Sequence, residues 1–269
     1  MQFCLVNGIE QSHIDIESRG FAYGDGLFTT AKILKGQVQY LTSHVERLVL
    51  GCKQLGILAP HQQQLRYQLS DIAKNYSLAV LKVIISAKSG GRGYARSSSH
   101  GHDIVIMVHD YPMYYDEQAN SGFTLGLSAQ QIGINPMLSG LKHLNRLEQV
   151  LLRQELTTVA VDELVVTNVN GAVIEAISAN LFCYINQCWQ TPNVTQSGVD
   201  GIMRQAILRK IPETKVAVLT LENLKTAQSI FICNSVMGVM PISQFIDKKL
   251  SIEPALLVRK IMLGEEYNV

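Results

Sequence analysis

The amino-acid sequence predicts an α+β fold with largely antiparallel sheets. Short β-prone runs follow one another through turns of the Asn-Gly type, and stretches with a helical spacing of apolar residues separate some of them. The order lacks the regular strand–helix–strand rhythm that builds a parallel sheet, and no segment repeats. With 269 residues, the chain can bury one sizeable core or two modest domains.

Two hairpins are predicted in the first part of the chain, at Asn7-Gly8 and at Lys35-Gly36. The second turn lies between the β-prone residues 27–34 and 37–41.

A helix is expected next. Ser43 and Glu46 have the spacing of a capping box, so the helix should begin at Ser43 and end near Gly56. Its buried stripe would consist of Val45, Leu48, Val49, Cys52 and Leu55. The elements expected after it are a helix over 61–74, a strand over 78–87, a loop at 89–94 and a strand over 104–108.

Residues 112–121 are the best candidate for a linker because they are polar, contain a proline and separate two strand-like blocks. They predict an N-terminal domain over 1–111 and a C-terminal domain over 122–269. In the second part we expect helices over 143–158, from Gly201 and over 256–263, and strands over 163–167, 172–175, 181–185, 188–190 and 230–234.

Composition describes an ordinary globular protein, with 47% hydrophobic and 17% charged residues. A net charge of +1 without a basic stripe argues against nucleic acid and against an acidic membrane surface as partners. No signal peptide or membrane-spanning run is recognised. Five cysteines without a Cys-x-x-Cys pair favour free thiols in the cytoplasm, and no metal site is expected from the cysteines or the seven histidines.

Lys142 is the first candidate for chemistry because it lies where a loop with Pro136 and Gly140 gives way to a leucine-rich stretch. A lysine can form a Schiff base, although most lysines are surface charges. Glu175 ends a predicted strand in apolar surroundings and could keep a pyridine nitrogen protonated. Taken alone, it is equally a strand-end glutamate that faces water.

Other residues are candidates for binding an anion. Gly201 and Ile202 open a predicted helix whose amides could bind a phosphate, and Arg47 could add a charged contact. Asn234 and Ser235 follow a predicted strand and offer further donors, unless they serve only the turn. Arg92, in a glycine-rich loop without Walker or GxGxxG spacing, could bind a carboxylate of a substrate.

Five segments, in this order along nearly the whole chain, resemble the fold-type IV pyridoxal-phosphate enzymes. They are residues 19–28, 44–48, 142–151, 175–182 and 198–204. That family includes branched-chain and D-amino-acid aminotransferases and 4-amino-4-deoxychorismate lyases. The resemblance implies two α/β domains with pyridoxal 5'-phosphate between them and a homodimer.

Within the family, the motifs are more similar to the lyases. The aminotransferases usually carry a glutamate directly after the aromatic residue that corresponds to Phe28, where this chain has Thr29. Segments that begin at Phe28, Ser89, Lys142 and Cys233 are similar to lyase motifs. An aminotransferase and a non-catalytic binding protein on the same fold are the two alternatives.

The resemblance also implies roles for individual residues. Lys142 would be the Schiff-base lysine, in the C-terminal domain, and Thr30 would lie close to it and orient or relay a proton. Glu175 would hold the pyridine nitrogen. The phosphate would be bound by Arg47, Gly201, Ile202, Asn234 and Ser235.

Overall fold

The computed structural model describes residues 1–97 and 101–264 and divides the chain into two compact units. Unit 1 consists of Met1–Pro112 together with Leu141–Asn145. Unit 2 consists of Met113–Gly140 and the chain from Arg146 onward.

Unit 1 is built on an antiparallel sheet, in which the six described strands follow the order β2-β1-β6-β5-β3-β4. Its strands are β1 (Phe3–Val6), β2 (Ile9–Glu10), β3 (Gly26–Leu34), β4 (Gln37–Val38), β5 (Leu78–Ala87) and β6 (His102–His109). Its helices are α1 (Arg19–Tyr23), α2 (Leu41–Leu55) and α3 (Gln62–Ala73).

The core of unit 1 lies between α2 and one face of this sheet. Strand β3 alternates strictly, so that Leu27, Thr29, Ala31 and Ile33 are buried while the residues between them are half-buried. Helix α2 approaches closely at Gly51, where an added Cβ would lie 2.3 Å from Leu27 Cδ1. The predicted stripe on α2 is confirmed at Val45, Leu48 and Cys52, which are all fully buried.

The two predicted hairpins are confirmed, since Asn7, Gly8, Lys35 and Gly36 all have the positive φ angles that such two-residue turns require. The capping box at Ser43 is wrong. Helix α2 begins at Leu41, after Tyr40 in the left-handed region, and no side chain caps it. Ser43 therefore lies inside the first turn, because the chain has already reversed at Tyr40.

Unit 2 contains a mixed sheet of nine described strands in the order β12-β11-β10-β13-β14-β7-β8-β9, with β15 beside β14. Its strands are β7 (Phe123–Ile132), β8 (Glu163–Asn168), β9 (Val173–Ala176), β10 (Asn180–Ile185), β11 (Cys188–Pro192), β12 (Lys215–Ala217), β13 (Ser229–Asn234), β14 (Gly238–Phe245) and β15 (Lys248–Lys249). Its helices are α4 (Tyr114–Gln118), α5 (Leu147–Leu156), α6 (Ile202–Lys210), α7 (Leu221–Thr226) and α8 (Glu253–Leu263).

Three neighbouring pairs in this sheet are parallel, namely β11–β12, β14–β7 and β7–β8, so the expectation of antiparallel pairing fits unit 1 better than unit 2. An extensive apolar cluster of unit 2 joins β7, β10, β13 and β14 with Leu224 of α7. Phe182 and Phe231 stack at 4.7 Å between ring centroids, and Trp189 meets Phe231 edge-on.

The segment around Lys142 differs from its prediction. The helix expected from His143 begins only at Leu147, and residues 141–145 group with unit 1. The segment expected as a linker, 112–121, contains the short helix α4.

None of the helices within 1–97 and 101–264 is long and apolar enough to cross a membrane. Across the same residues, no cluster of three or more histidine, cysteine or acidic side chains has the arrangement of a metal site.

Candidate active site

The main chain around Lys142 runs alongside the start of β3. Lys142 accepts a hydrogen bond from the amide of Phe28 at 2.9 Å, and Leu144 donates to the carbonyl of Gly26 at 3.0 Å. His143 forms an antiparallel bridge with Leu27. These bonds tie the backbone of residues 142–144 to β3, so the position of Lys142 does not depend on a helix terminus.

The side chain of Lys142 lies over an aromatic ring. Its Nζ is 4.6 Å from the centroid of Phe28, a distance typical of a cation–π contact. Thr30 is two residues farther along β3 and therefore projects from the same face as Phe28. Unit 1 thus brings Lys142 and Thr30 to one side of its sheet, as their predicted roles require.

On the opposite face of β3, Thr29 meets a histidine that the sequence analysis did not single out. Thr29 Oγ1 lies 2.6 Å from His44 Nδ1, and His44 is only 1% exposed. Burial, followed by the charges of Arg47 and Lys142, lowers the pKa of His44 from 6.5 to about 3. The imidazole is therefore neutral at physiological pH.

Positive charge and donor groups are concentrated around His44. Its Nε2 is buried and has no hydrogen-bond partner within the described residues. Arg47 lies one turn farther along α2 and is half-buried. A buried ring nitrogen without a partner, under the positive charges of Arg47 and Lys142, is compatible with an anion bound in this part of unit 1. Arg92, by contrast, is exposed on the loop between β5 and β6.

In unit 2, Glu175 is 5% exposed on β9 and is held by the loop before α6. Its Oε2 accepts a hydrogen bond from the amide of Val199 at 2.9 Å. Gly198, at a φ of +85°, comes so close that an added Cβ would lie 2.6 Å from Ile174 Cγ2 and 3.1 Å from Glu175 Oε2. The packing therefore leaves this carboxylate little freedom.

Arg146 is a second residue that the sequence analysis did not assign. Burial lowers the pKa of its guanidinium, whereas the charges of Glu175 and Glu148 raise it. A guanidinium at this position stabilises the negative charge of Glu175. Arg146 lies in the segment 142–151, which is one of the five that resemble the family. That resemblance is the sequence signal that could have identified it.

The start of α6 has the features of an anion site. Gly201 caps the helix in an extended conformation, no side chain caps it, and no acidic residue lies in its first turn. An added Cβ at Gly201 would lie 2.0 Å from Asn180 Oδ1, while Asn180 Nδ2 donates to the carbonyl of Val199 at 2.8 Å. Ile202, the first residue of α6, follows directly.

Asn234 and Ser235 lie at the turn between β13 and β14. Asn234 Oδ1 accepts hydrogen bonds from the amides of Val236 and Met237, each at 2.9 Å, and its Nδ2 donates to the carbonyl of Ser178 at 3.2 Å. The side chain of Asn234 therefore shapes the turn. Its predicted contact with a phosphate stays a prediction, as does that of Ser235.

Residues 26–245 match the model of the family described as amino-transferase class IV. The chain belongs to the class IV aminotransferase family. This match covers β3, Lys142, Glu175, α6 and the turn after β13, and the fold-type IV enzymes of this family depend on pyridoxal phosphate. The fold class predicted from the sequence is confirmed.

Relatives of this class IV protein have both activities that the sequence analysis considered. It is 37% identical to an aminodeoxychorismate lyase from Vibrio harveyi, over 88% of this chain and 89% of the relative. It is 24% identical to a D-alanine aminotransferase from Bacillus licheniformis, over 89% and 87% of the two chains.

Solved structures of class IV proteins agree with the fold. The 4-amino-4-deoxychorismate lyase from Pseudomonas aeruginosa superposes with a TM-score of 0.91 at 28% identity, over 97% of this chain and 98% of that chain. A branched-chain amino acid aminotransferase from Escherichia coli has a TM-score of 0.84 at 18% identity, over 99% and 96% of the two chains. At that identity the second likeness shows the fold alone.

The residues present fit pyridoxal phosphate chemically. Unit 1 offers the lysine amine, together with Arg47 and the buried Nε2 of His44. Unit 2 offers a buried carboxylate at Glu175 and the uncapped start of α6 at Gly201. An aldehyde, a phosphate and a ring nitrogen are the groups that such side chains bind.

Proposed function

We propose that this protein converts 4-amino-4-deoxychorismate to 4-aminobenzoate and pyruvate, a step of folate synthesis. The residue directly after Phe28 favours a lyase over an aminotransferase. Thr29, a small hydroxyl residue bonded to the neutral His44, occupies the position where aminotransferases of the family usually have a glutamate. Similarity to the Vibrio harveyi lyase over most of both chains supports the same choice.

The reaction is redox-neutral. The C–H bond at the amino-bearing carbon and the C–O bond of the enolpyruvyl ether break, the ring becomes aromatic, and the enolpyruvate gains a proton to become pyruvate. Bound pyridoxal phosphate supplies the electron sink that makes the C–H bond acidic. Formation of an aromatic ring drives the reaction toward products.

Lys142 carries the proton transfers in this proposal. Its Nζ, placed over Phe28, would take the proton from the amino-bearing carbon of the substrate. Thr30, on the same face of β3, would orient or relay a proton to that amine. His44 is neutral and so adds no further charge to Lys142 and Arg47.

The remaining residues would hold the cofactor and the substrate. Glu175, supported by Val199 and Arg146, would pair with the pyridine nitrogen. The phosphate ligands would be Arg47, Gly201, Ile202, Asn234 and Ser235. Arg92 would bind a carboxylate of the substrate.

The assembly and the compartment are also part of the proposal. The protein would act as a homodimer with a small-molecule substrate, without nucleic acid or a membrane as partner. Five free cysteines support a reducing cytoplasm. The chain would fold as an N-terminal domain over 1–111 and a C-terminal domain over 122–269.

An aminotransferase is the second candidate, because relatives with that name align over most of the chain and share the early proton transfer. A binding protein without catalysis is a third. Binding alone would not require both a lysine beside Phe28 and a buried carboxylate at Glu175, so this candidate is the weakest of the three.

The test supplies 4-amino-4-deoxychorismate, generated in situ, and follows 4-aminobenzoate by its fluorescence. We expect rapid product formation by the wild type and a loss of at least about a thousandfold in Lys142→Ala, because the amine that moves the proton is removed. Lys74→Ala, at an exposed lysine of the helix-ending turn after α3, is the matched control.

A yellow protein that makes no 4-aminobenzoate but transfers amino groups from D-alanine or branched-chain amino acids would be an aminotransferase. A protein that never acquires cofactor absorption would favour the binding protein. Near-normal turnover in Lys142→Ala would overturn the role of Lys142.

A further inference from the structure

The loop between β5 and β6 carries Arg92 and Tyr94 into solvent, with Tyr94 91% exposed. The described part of this loop, residues 88–97, is nonetheless closely packed. Gly90, Gly91 and Gly93 all have positive φ angles, and an added Cβ at Gly91 would lie 2.2 Å from the carbonyl oxygen of Ala95. Main-chain carbonyl groups of such a loop that face the interior need hydrogen-bond partners.

Arg19 supplies those partners from inside the unit. It is 4% exposed, and its guanidinium donates hydrogen bonds to main-chain carbonyls of the loop. The acceptors are Gly90, Gly93, Tyr94 and Ala95, at 3.2–3.5 Å. The same guanidinium lies 4.9 Å from the ring of Tyr23, which in turn contacts Tyr94 at 5.8 Å.

Asp25 joins Arg19 to a second arginine. Its carboxylate accepts from Arg19 Nε at 2.8 Å and from Arg96 Nε at 3.0 Å. Burial alone would raise the pKa of Asp25, but the hydrogen bonds from Arg96 and Arg19 outweigh it and lower the pKa. Asp25 is therefore charged when the loop is in place.

Arg96 connects the loop to the end of α2. Its Nη1 donates to the carbonyls of Leu55 and Gly56 at 2.8 and 3.0 Å. Arg19, Asp25 and Arg96 therefore form a clamp on residues 90–96, the segment that presents Arg92. The proposed function gives no role to these three residues, although Arg19 and Asp25 lie in the first family-like segment.

We propose that the clamp is a positioning device, which holds Arg92 ready to bind a carboxylate of the substrate; this rests on the proposed function. A guanidinium on a disordered loop would lose conformational freedom on binding and so weaken the complex. A loop held through its main chain has lost that freedom beforehand. The clamp should therefore influence substrate binding more than the chemical step.

The kinetic test is a double-mutant cycle between Asp25→Asn and Arg92→Gln in the pyridoxal-phosphate-loaded enzyme. We expect each single variant to raise KM for 4-amino-4-deoxychorismate about tenfold with kcat within about twofold, and the double variant to resemble Arg92→Gln. Asp71→Asn, in an exposed ion pair of α3, is the matched control and should leave KM unchanged. Additive effects, or an unchanged KM in Arg92→Gln, would overturn the proposal.

A second readout needs neither substrate nor turnover. Trypsin cleavage after Arg92 reports how often the loop opens, and we expect it to accelerate at least about fivefold in Asp25→Asn but not in Asp71→Asn. Arg96→Gln removes one half of the clamp without leaving a buried charge, so it serves if Asp25→Asn fails to fold. Equal cleavage rates in all variants would overturn the clamp, whereas absence of 4-aminobenzoate from the wild type would overturn only the lyase function.

Discussion

In the proposed cycle, the amine of Lys142 must be held in place and yet be free to change its partner. The main chain meets the first requirement, because the carbonyl of Lys142 accepts from Phe28 of β3 and the amide of Leu144 donates to Gly26. The ring contact of Lys142 with Phe28 meets the second, because a cation–π contact contributes only about 0.5–2 kcal/mol and is readily exchanged. The main-chain atoms of Lys142 therefore fix its position, while its amine can still change its partner and react.

His44 leads to a prediction about stability and pH. Its pKa falls from 6.5 to about 3 in the fold, so between these values the unfolded chain binds more protons than the folded one. Stability contributed by the neutral ring is thus present above pH 6.5 and is lost as the pH falls toward 3. We expect His44→Gln, which keeps an acceptor for Thr29, to flatten this dependence by up to ~1.4 kcal/mol per pH unit.

Urea unfolding of the wild type and of His44→Gln between pH 7 and pH 5 checks this. His61→Gln, at the exposed residue before α3, is the control and should keep the wild-type slope. If His44→Gln also kept that slope, the imidazole would not be the group that titrates.

At the scale of elements, local sequence signals predicted the elements whose conformation depends on neighbouring residues alone. The hairpins at Asn7-Gly8 and Lys35-Gly36 follow from positive φ angles at the turn residues themselves. The stretch at His143, in contrast, was expected as helix because its leucines have helical spacing. It pairs instead with Gly26–Phe28, more than a hundred positions earlier in the chain, and no local pattern reports such pairing.

The same distinction applies to the candidate site. Lys142, Glu175 and Gly201 became candidates through their places in predicted elements, and the resemblance to a family gave them roles, which stay predictions. The neutral state of His44 and the closeness of Arg146 to Glu175 depend on tertiary packing, which the sequence does not display.

The loop before α6 leads to a prediction about Glu175. In Gly198→Ala, the new methyl group would meet Ile174 and the carboxylate of Glu175 at a backbone conformation that disfavours alanine. We expect roughly 2–4 kcal/mol of lost stability and about tenfold weaker binding of pyridoxal phosphate. Gly171→Ala is the control, since Gly171 has a similar φ of +77° but no atom within 4 Å of an added Cβ.

Urea unfolding and absorbance titration with pyridoxal phosphate measure the two quantities. Gly171→Ala should lose only the cost of its φ angle and should bind the cofactor normally. Equal cofactor affinity in both variants would show that the close approach of Gly198 does not control the position of Glu175.

At the scale of the whole molecule, one architecture serves more than one reaction. The TM-scores are 0.91 with a lyase and 0.84 with an aminotransferase, so the fold alone does not choose between elimination and amino-group transfer. The choice must depend on a few side chains, among which Thr29, directly after Phe28 in β3, is the one that this chain identifies.

Cofactor binding should raise the stability of the whole chain by mass action. A ligand at one hundred times its dissociation constant stabilises the folded state by about 2.7 kcal/mol, which for a chain of this size corresponds to a Tm increase of roughly 5–10 °C. Thermal unfolding of the protein freed of cofactor, followed with and without added pyridoxal phosphate, measures this increase.

Pyridoxal, which lacks the phosphate, should give a much smaller shift, because the start of α6 and Arg47 would then have no anion to bind. Lys142→Ala should keep part of the shift, since the phosphate contacts remain. Identical shifts with pyridoxal and pyridoxal phosphate would contradict the assignment of the phosphate ligands while leaving that of Lys142 intact.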